Sequence, residues 1–214
     1  MNISNKTLAS WLLIVGPILT LVIWVGLEPT IVGDYSNPQE YLGMMAEAGD
    51  IGALLGLLGG VFFLAQMVGT TIFARQLGKE GSGAAVGNIA AILGIVLAAA
   101  VVVSNDLGLS ALAAGSAGDG ASALTGAQVS FYGGASFGML IGLTYLCLSI
   151  PMIAQASDML QKVLGYLLGL ITLVMIISTL AGLDLSDSIL GIIVWLGLSL
   201  VIVVTGIVNL RSSD

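Results

Sequence analysis

Residues 52–95 read GALLGLLGGVFFLAQMVGTTIFARQLGKEGSGAAVGNIAAILGI, and residues 134–177 read GASFGMLIGLTYLCLSIPMIAQASDMLQKVLGYLLGLITLVMII. An offset of 82 positions aligns the two stretches without a gap. Gly52, Gly56, Gly60, Gly83 and Gly87 then fall on Gly134, Gly138, Gly142, Gly165 and Gly169, while Ala53, Leu58, Leu64, Ala74 and Ile89 meet identical residues. Gly69, a weak point in a helix, meets Pro151, a stronger one. Glycines four apart in an apolar run let two backbones approach closely, which is how membrane helices pack where lipid removes the hydrophobic drive between them. The stretch reads as a helical hairpin present twice. The fold expected is all-α: a polytopic membrane bundle with an internal parallel duplication of 52–95 as 134–177.

Composition points the same way. The 214 residues are 57% hydrophobic and 8% charged, against roughly 25% charged in an average soluble domain, and the mean hydropathy is +1.10. The one cysteine, Cys147, lies inside an apolar run, so no disulfide framework exists. The chain has no histidine, which removes the commonest proton shuttle and the commonest metal ligand together.

Six apolar runs follow in order within one domain, 1–214, at about 11–27, 51–74, 84–103, 129–154, 163–182 and 189–210, each near the ~20 residues that a bilayer crossing needs. The first is read as an uncleaved span, because it is long for a signal core and 26–30 lacks a small-x-small site. Gly16-Pro17 predicts a kink within it. The stretch 28–50 is an acidic loop in which Asn37-Pro38 starts a short helix, with Tyr41, Leu42, Met44 and Met45 on its apolar face. The stretch 104–128 is a Gly-, Ala- and Ser-rich loop. With six spans, Lys6, Arg75, Lys79, Lys162 and Arg211 all fall on one side, the cytoplasmic one by the retention of basic residues. Both termini are then cytoplasmic, and Glu28, Asp34, Glu40, Glu47, Asp50, Asp106, Asp119, Asp184 and Asp187 face outward. The location expected is the plasma (inner) membrane of a prokaryote. Each repeat spans two helices, so its copies are parallel, unlike the inverted repeats of many secondary transporters.

Gln66 and Asn88 are the most polar side chains well inside the apolar runs. Counted from the turn between their helices they reach similar depth, which predicts a polar clamp across the hairpin contributing ~0.6–2 kcal/mol. The alternative is that they line a pathway for a small polar solute, with Thr144 and Tyr145 nearby. The glycines expected to pack helices are Gly52, Gly56 and Gly60 against the level of Ala90, Gly94 and Ala98, and Gly134, Gly138 and Gly142 against span five or span two. Packing within the chain is the simpler reading, a homodimer face the other. Trp11, Trp24, Trp195, Tyr132 and, deeper, Tyr145 read as interface anchors or packing. No Asp, Glu, Lys, Arg or His lies in the centre of a span, which argues against ion-coupled pumps, proton relays and voltage sensors. No nucleophile with a base, metal-ligand cluster or phosphate loop is present, so neither enzyme activity nor a cofactor nor a metal is expected.

The opening span, LLIVGPILTLVIWVGLEP at 12–29, followed by an acidic stretch with a short helix, resembles uncharacterised prokaryotic multi-spanning membrane proteins of unknown function. The resemblance implies a six- or seven-helix bundle and carries no functional residue over. The function expected is that of a non-catalytic accessory or structural subunit packing through glycine faces on a membrane-protein partner or on itself. The rival is a transporter or channel for a small neutral or lipophilic solute passing between the two hairpins. Membrane lipids are the surroundings in either case, and no nucleic acid is involved. Oxygen-bearing side chains spaced three apart, as at Asp34, Asn37 and Glu40 and again at Asp184 and Asp187, fall short of a calcium loop. The thermal midpoint should therefore be unchanged by added Ca²⁺ or by chelator, which differential scanning fluorimetry in detergent would check.

Overall fold

The computed structural model describes residues 3–33, 35–132, 134–183 and 188–212. Asp34, Asp184, Asp187 and Asp214, the side chain of Tyr132 and the surroundings of Gly134 lie outside the described residues. Among those described, the regular structure is helical throughout. Helix α1 (Asn5–Leu21) continues through a π-helical segment (Val22–Leu27) into α2 (Glu28–Ile31); α3 (Pro38–Leu77), α4 (Ala84–Ser116), α5 (Gly120–Tyr132), α6 (Gly134–Ala154), α7 (Met159–Leu180) and α8 (Ile189–Arg211) follow. Six stretches are long and apolar enough to cross a membrane: Asn5–Ile31, Pro38–Leu77, Ala84–Ser116, Ser136–Ala154, Met159–Leu180 and Ile189–Arg211. The chain is an all-α, multi-pass membrane bundle.

Local chemistry sets the helix starts. Ser4, Asn37, Asp158 and Ser188 each occupy an N-cap and accept a hydrogen bond from a first-turn backbone N–H, a contribution of ~1 kcal/mol apiece. Asn37 accepts from the backbone N–H of both Gln39 and Glu40, and Pro38 fills the first helical position, where no donor is missed. The short helix expected after Asn37 is present: Met45 is buried and Tyr41, Leu42 and Met44 are partly buried on one face. It ends at Gly49, whose φ of 57° and ψ of −139° break α3 into an outer arm and the span proper. Glycine alone takes that geometry without strain.

The stretch 104–128, read as a loop, is helical instead. Helix α4 runs on to Ser116 and α5 turns back along it, with a Cβ at Gly126 falling 3.0 Å from the Ala111 Cβ. Alanine is the strongest helix former, and small side chains let two helices lie close enough to cover backbone that would otherwise be exposed. The stretch 28–50 is likewise largely helical, so Glu28 belongs to the end of the first span and not to a loop.

The spans form a ring: α1 packs on α3, α3 on α4, α4 on α6, α6 on α7, α7 on α8, and α8 back on α1. Across its middle α3 meets α6, where the Phe63 and Phe137 ring centroids are 5.7 Å apart. The end carrying the basic residues is tied together. Lys6 Nζ donates to the Ser212 carbonyl, Asn209 Nδ2 to Ser10 Oγ (2.9 Å), and Gln155 Nε2 to the carbonyls of Leu77 (2.8 Å) and Ser82 (3.1 Å).

Glycines do the close packing inside the chain. A Cβ at Gly16 would lie 2.8 Å from the Gln66 backbone nitrogen, and one at Gly206 would lie 2.9 Å from the Ser10 carbonyl oxygen. Gly60 faces Asn105, Gly94 faces Thr71, and Gly142 faces Ile176 and Thr172. Gly56 and Gly138 are looser, their nearest outside neighbours being Met45 at 3.9 Å and Thr179 at 3.7 Å, while Gly52 sits against Met45 and Ala48 of its own helix. The ladder at 52, 56 and 60 therefore does not oppose Ala90, Gly94 and Ala98. Helix α3 extends to Leu77 before the turn, which carries its outer glycines past that level.

The two hairpins also differ in register. At the 82-residue offset the position matching Asn105 is Asp187, yet Gly142 faces Ile176, eleven positions earlier. Eleven residues are about three helical turns, so the same face is used after a slide of ~16 Å. The cause is the turn: α6 stops at Ala154 and α7 starts at Met159, whereas Leu77 and Ala84 bound the first hairpin's turn. Gly16→Ala and Gly206→Ala, which drive a methyl into backbone, are expected to destabilise by ~1–3 kcal/mol. Gly138→Ala should stay within ~0.5 kcal/mol. Thermal unfolding in one detergent would separate the two groups.

Candidate functional site

Gln66 does not reach Asn88. Its Nε2 donates to Tyr145 Oη at 2.9 Å, and the Tyr145 hydroxyl also lies 3.1 Å from Thr70 Oγ1. Gln66 is buried, while Thr70 and Tyr145 are without exposed surface. Asn88 is exposed and donates from Nδ2 to the Gly78 carbonyl at 3.0 Å. The predicted clamp fails on depth. Asn88 is in the first turns of α4, ~6 Å from its start, whereas Gln66 is eleven residues, ~16 Å, from the end of α3. Thr144 is fully buried and returns its hydroxyl to the Leu140 carbonyl at 2.7 Å. Of the four polar residues singled out from sequence, Gln66 and Tyr145 meet, Thr144 lies beside them, and Asn88 stands apart.

The centre between the hairpins is filled. Met67, Thr70, Ile141 and Tyr145 are essentially inaccessible, so among the described residues no passage opens at that level. Space opens elsewhere, between α1, α3 and α8, as a cavity of about 960 Å³. Its mouth is polar, with Glu28, Tyr35, Ser36 and Glu40; Trp24, Phe63 and Trp195 form its aromatic walls; Gln66, Leu198 and Ser199 line its depth. Beyond that depth the close contacts of Gly16 with Gln66, Gly69 with Leu12 and Leu13, and Gly206 with Leu13 and Ile14 shut the bundle. The cavity is thus a vestibule open at the acidic end and closed at the basic end. Val25 of the π segment and Ile192 of α8 also line it and are more than half exposed, so its wall is apolar between them.

Backbone irregularity shapes this wall. Pro17 and Pro29 each lack the N–H that the carbonyl four residues earlier would use. Between them the helix widens, and the Glu28 N–H donates to the Ile23 carbonyl five residues back. Such π segments recur at functional sites because they re-aim side chains. Here the segment lays Trp24 over Gly59, which has no side chain to obstruct the indole, with the Trp24 and Phe63 ring centroids 5.6 Å apart. Glu28 follows one turn later, and Tyr35 Oη donates to its Oε1 at 3.3 Å. Burial, and next the Glu28 carboxylate, push the Tyr35 phenol above its ordinary range, so it remains a donor at any working pH. Glu40 is occupied differently: its Oε2 accepts from the backbone N–H and hydroxyl of Ser36 at 2.9 and 2.8 Å.

Thr20 is the anomaly. Six other threonines, Thr30, Thr125, Thr144, Thr172, Thr179 and Thr205, donate to the carbonyl four residues back. Thr20 Oγ1 is buried on the vestibule wall and has no hydrogen-bond partner among the described residues. A second, smaller cavity of about 170 Å³ lies beyond Trp24 and Glu28, towards Asn105 and Met45. Among the described residues, no group of three or more His, Cys, Asp or Glu is placed to hold a metal. Trp24, Glu28, Thr20 and Trp195 were not singled out as site residues by sequence. The available signal was the spacing of Trp24 and Glu28 by four, between two prolines.

Comparison with protein-family models, with curated proteins and with solved structures finds no match to this chain. The class that the fold defines is accordingly the coarse one: an integral membrane helical bundle with six spanning segments.

Tyr145→Phe leaves Gln66 and Thr70 without their shared partner and is expected to cost ~1–3 kcal/mol. In double-mutant cycles, Gln66→Leu with Tyr145→Phe should couple by ~0.6–2 kcal/mol, whereas Gln66→Leu with Asn88→Ala should be additive. Unfolding midpoints of the singles and doubles decide between the two pairings.

Proposed function

We propose that this chain is a non-catalytic membrane protein that receives a small lipophilic or amphiphilic molecule in the vestibule at its acidic end, as a carrier or binding protein. The observation that carries the reading is the vestibule. Its volume falls in the range of small-molecule sites, its walls are aromatic and aliphatic, and a buried hydroxyl on its wall lacks a partner. The route differs from a passage between the two hairpins, since the centre there is filled. By the distribution of basic residues the closed end faces the cytoplasm of a prokaryote and the vestibule faces outward. Duplication belongs to the same reading. The sequence offset supports it, as does the recurrence of a long helix, a short outer helix and a span, first in α1 to α3 and again in α4 to α6. The slid register then marks where the copies diverged.

An accessory or scaffold role, on a partner or on a second copy, has less in its favour. The glycine faces that motivated it at Gly60, Gly94 and Gly142 are used within the chain. N-phenyl-1-naphthylamine, a neutral lipophile that accepts energy from tryptophan, tests the reading with protein in lipid nanodiscs. Saturable transfer from the indoles that vanishes in Ser199→Trp, a substitution that fills the cavity's depth, is the expected result. Transfer that never saturates, or that is the same in Ser199→Trp, would refute it.

A further inference from the structure

We infer that the molecule taken into the vestibule is a lipophilic cation, its apolar body against the indoles and its positive charge beside Glu28. This rests on the vestibule reading and adds the charge of the ligand. Glu28 is a partly buried carboxylate on the cavity wall, and a carboxylate removed from water calls for a compensating charge far more strongly than one at the surface. The protein supplies none at that end. Lys6, Arg75, Lys79, Lys162 and Arg211 lie at the opposite ends of their helices, and along α1 alone Lys6 is ~33 Å from Glu28 at the helical rise. What Glu28 does have is a neutral donor, Tyr35 Oη, to one oxygen.

The rest of the wall suits the same ligand. Trp24 is one turn before Glu28, and Trp195 lines the cavity from α8. Indole faces attract cations, and more so when desolvated. An anion would be repelled by the carboxylate, and a neutral amphiphile could give it a hydrogen bond but no compensating charge. Thr20 Oγ1, deeper on the same wall, has no partner among the described residues, which leaves a hydroxyl on that wall with hydrogen-bonding capacity to spare. Val25 and Ile192, exposed apolar residues of the lining, give the apolar body a surface to lie on while the charge stays at the acidic mouth.

Tetraphenylphosphonium and tetraphenylborate have nearly the same size and opposite charge, which isolates the sign. Binding of each is measured by equilibrium dialysis to protein in phosphatidylcholine nanodiscs, with empty nanodiscs subtracted. Tetraphenylphosphonium is expected to bind saturably and at least tenfold more tightly than tetraphenylborate. Glu28→Gln, which keeps the size of the side chain, should weaken tetraphenylphosphonium about tenfold and erase the preference. Glu28→Asp should retain most of it, and Glu47→Gln, exposed and off the cavity, should change nothing. Ile192→Lys, which leaves Glu28 and Tyr35 in place, should reverse the preference and serves if Glu28→Gln fails to fold. Equal binding of the two ions by the native protein, or a native preference that survives in folded Glu28→Gln and Ile192→Lys, overturns the cation assignment. The vestibule then still stands if N-phenyl-1-naphthylamine binds saturably. Loss of saturable binding for all three probes overturns both readings.

Discussion

Backbone contact through glycine in the first helix is the constraint from which the rest of the architecture follows. Gly16 lies against the backbone of Gln66, Gly69 against Leu12 and Leu13, and Gly206 against Ser10 and Ile14. Lipid offers helices no hydrophobic reason to associate, so contact area gained by close approach is what holds them. Those contacts sit in the half of α1 nearer the basic end, and they hold α1, α3 and α8 together there. Towards the acidic end the same three helices are separated, and the space between them is the vestibule. One set of small residues therefore both closes the floor of the site and permits its opening.

The interior divides its polar groups by the same logic. Where the vestibule's depth meets the filled centre, Gln66, Thr70 and Tyr145 satisfy one another, as buried polar groups do. Threonines along the spans return their hydroxyls to their own helices, and Thr20, on the vestibule wall, does not. Glu28 is held where the first span widens and ends, with a protonated phenol as its neighbour. The part of the molecule with unfilled space is thus also the part with polar capacity left over.

Much of this arrangement was legible in the residue order because the membrane imposes long one-dimensional patterns. Runs of about twenty apolar residues and the cap at Asn37-Pro38 mark helices and their limits in the sequence, and the structure has them. Misreadings came where propensity and packing compete. The glycine- and alanine-rich stretch 104–128 looks like a loop by composition, but α4 and α5 bury each other's small residues and remain helical. Asn88 looks deep only when depth is counted from the middle of the turn, whereas α4 starts at Ala84, four residues before it, and α3 runs on to Leu77. The site was the least legible part, since Trp24, Glu28 and Trp195 each have an ordinary explanation as anchors or loop charges when considered singly.

By itself the sequence determined that this chain lives in a membrane as six spanning helices, because hydropathy, length and charge are local properties that need no partner. Only the tertiary structure decided which helices touch. Register between helices depends on where each turn falls, and a turn that falls about six positions earlier along the second stretch slides its two helices past each other by about three helical turns. The widened turn between Pro17 and Pro29 and the packing of α8 beside α1 put Trp24, Glu28 and Trp195 around one space. No offset along the chain encodes that meeting, because it is made by helices far apart in sequence.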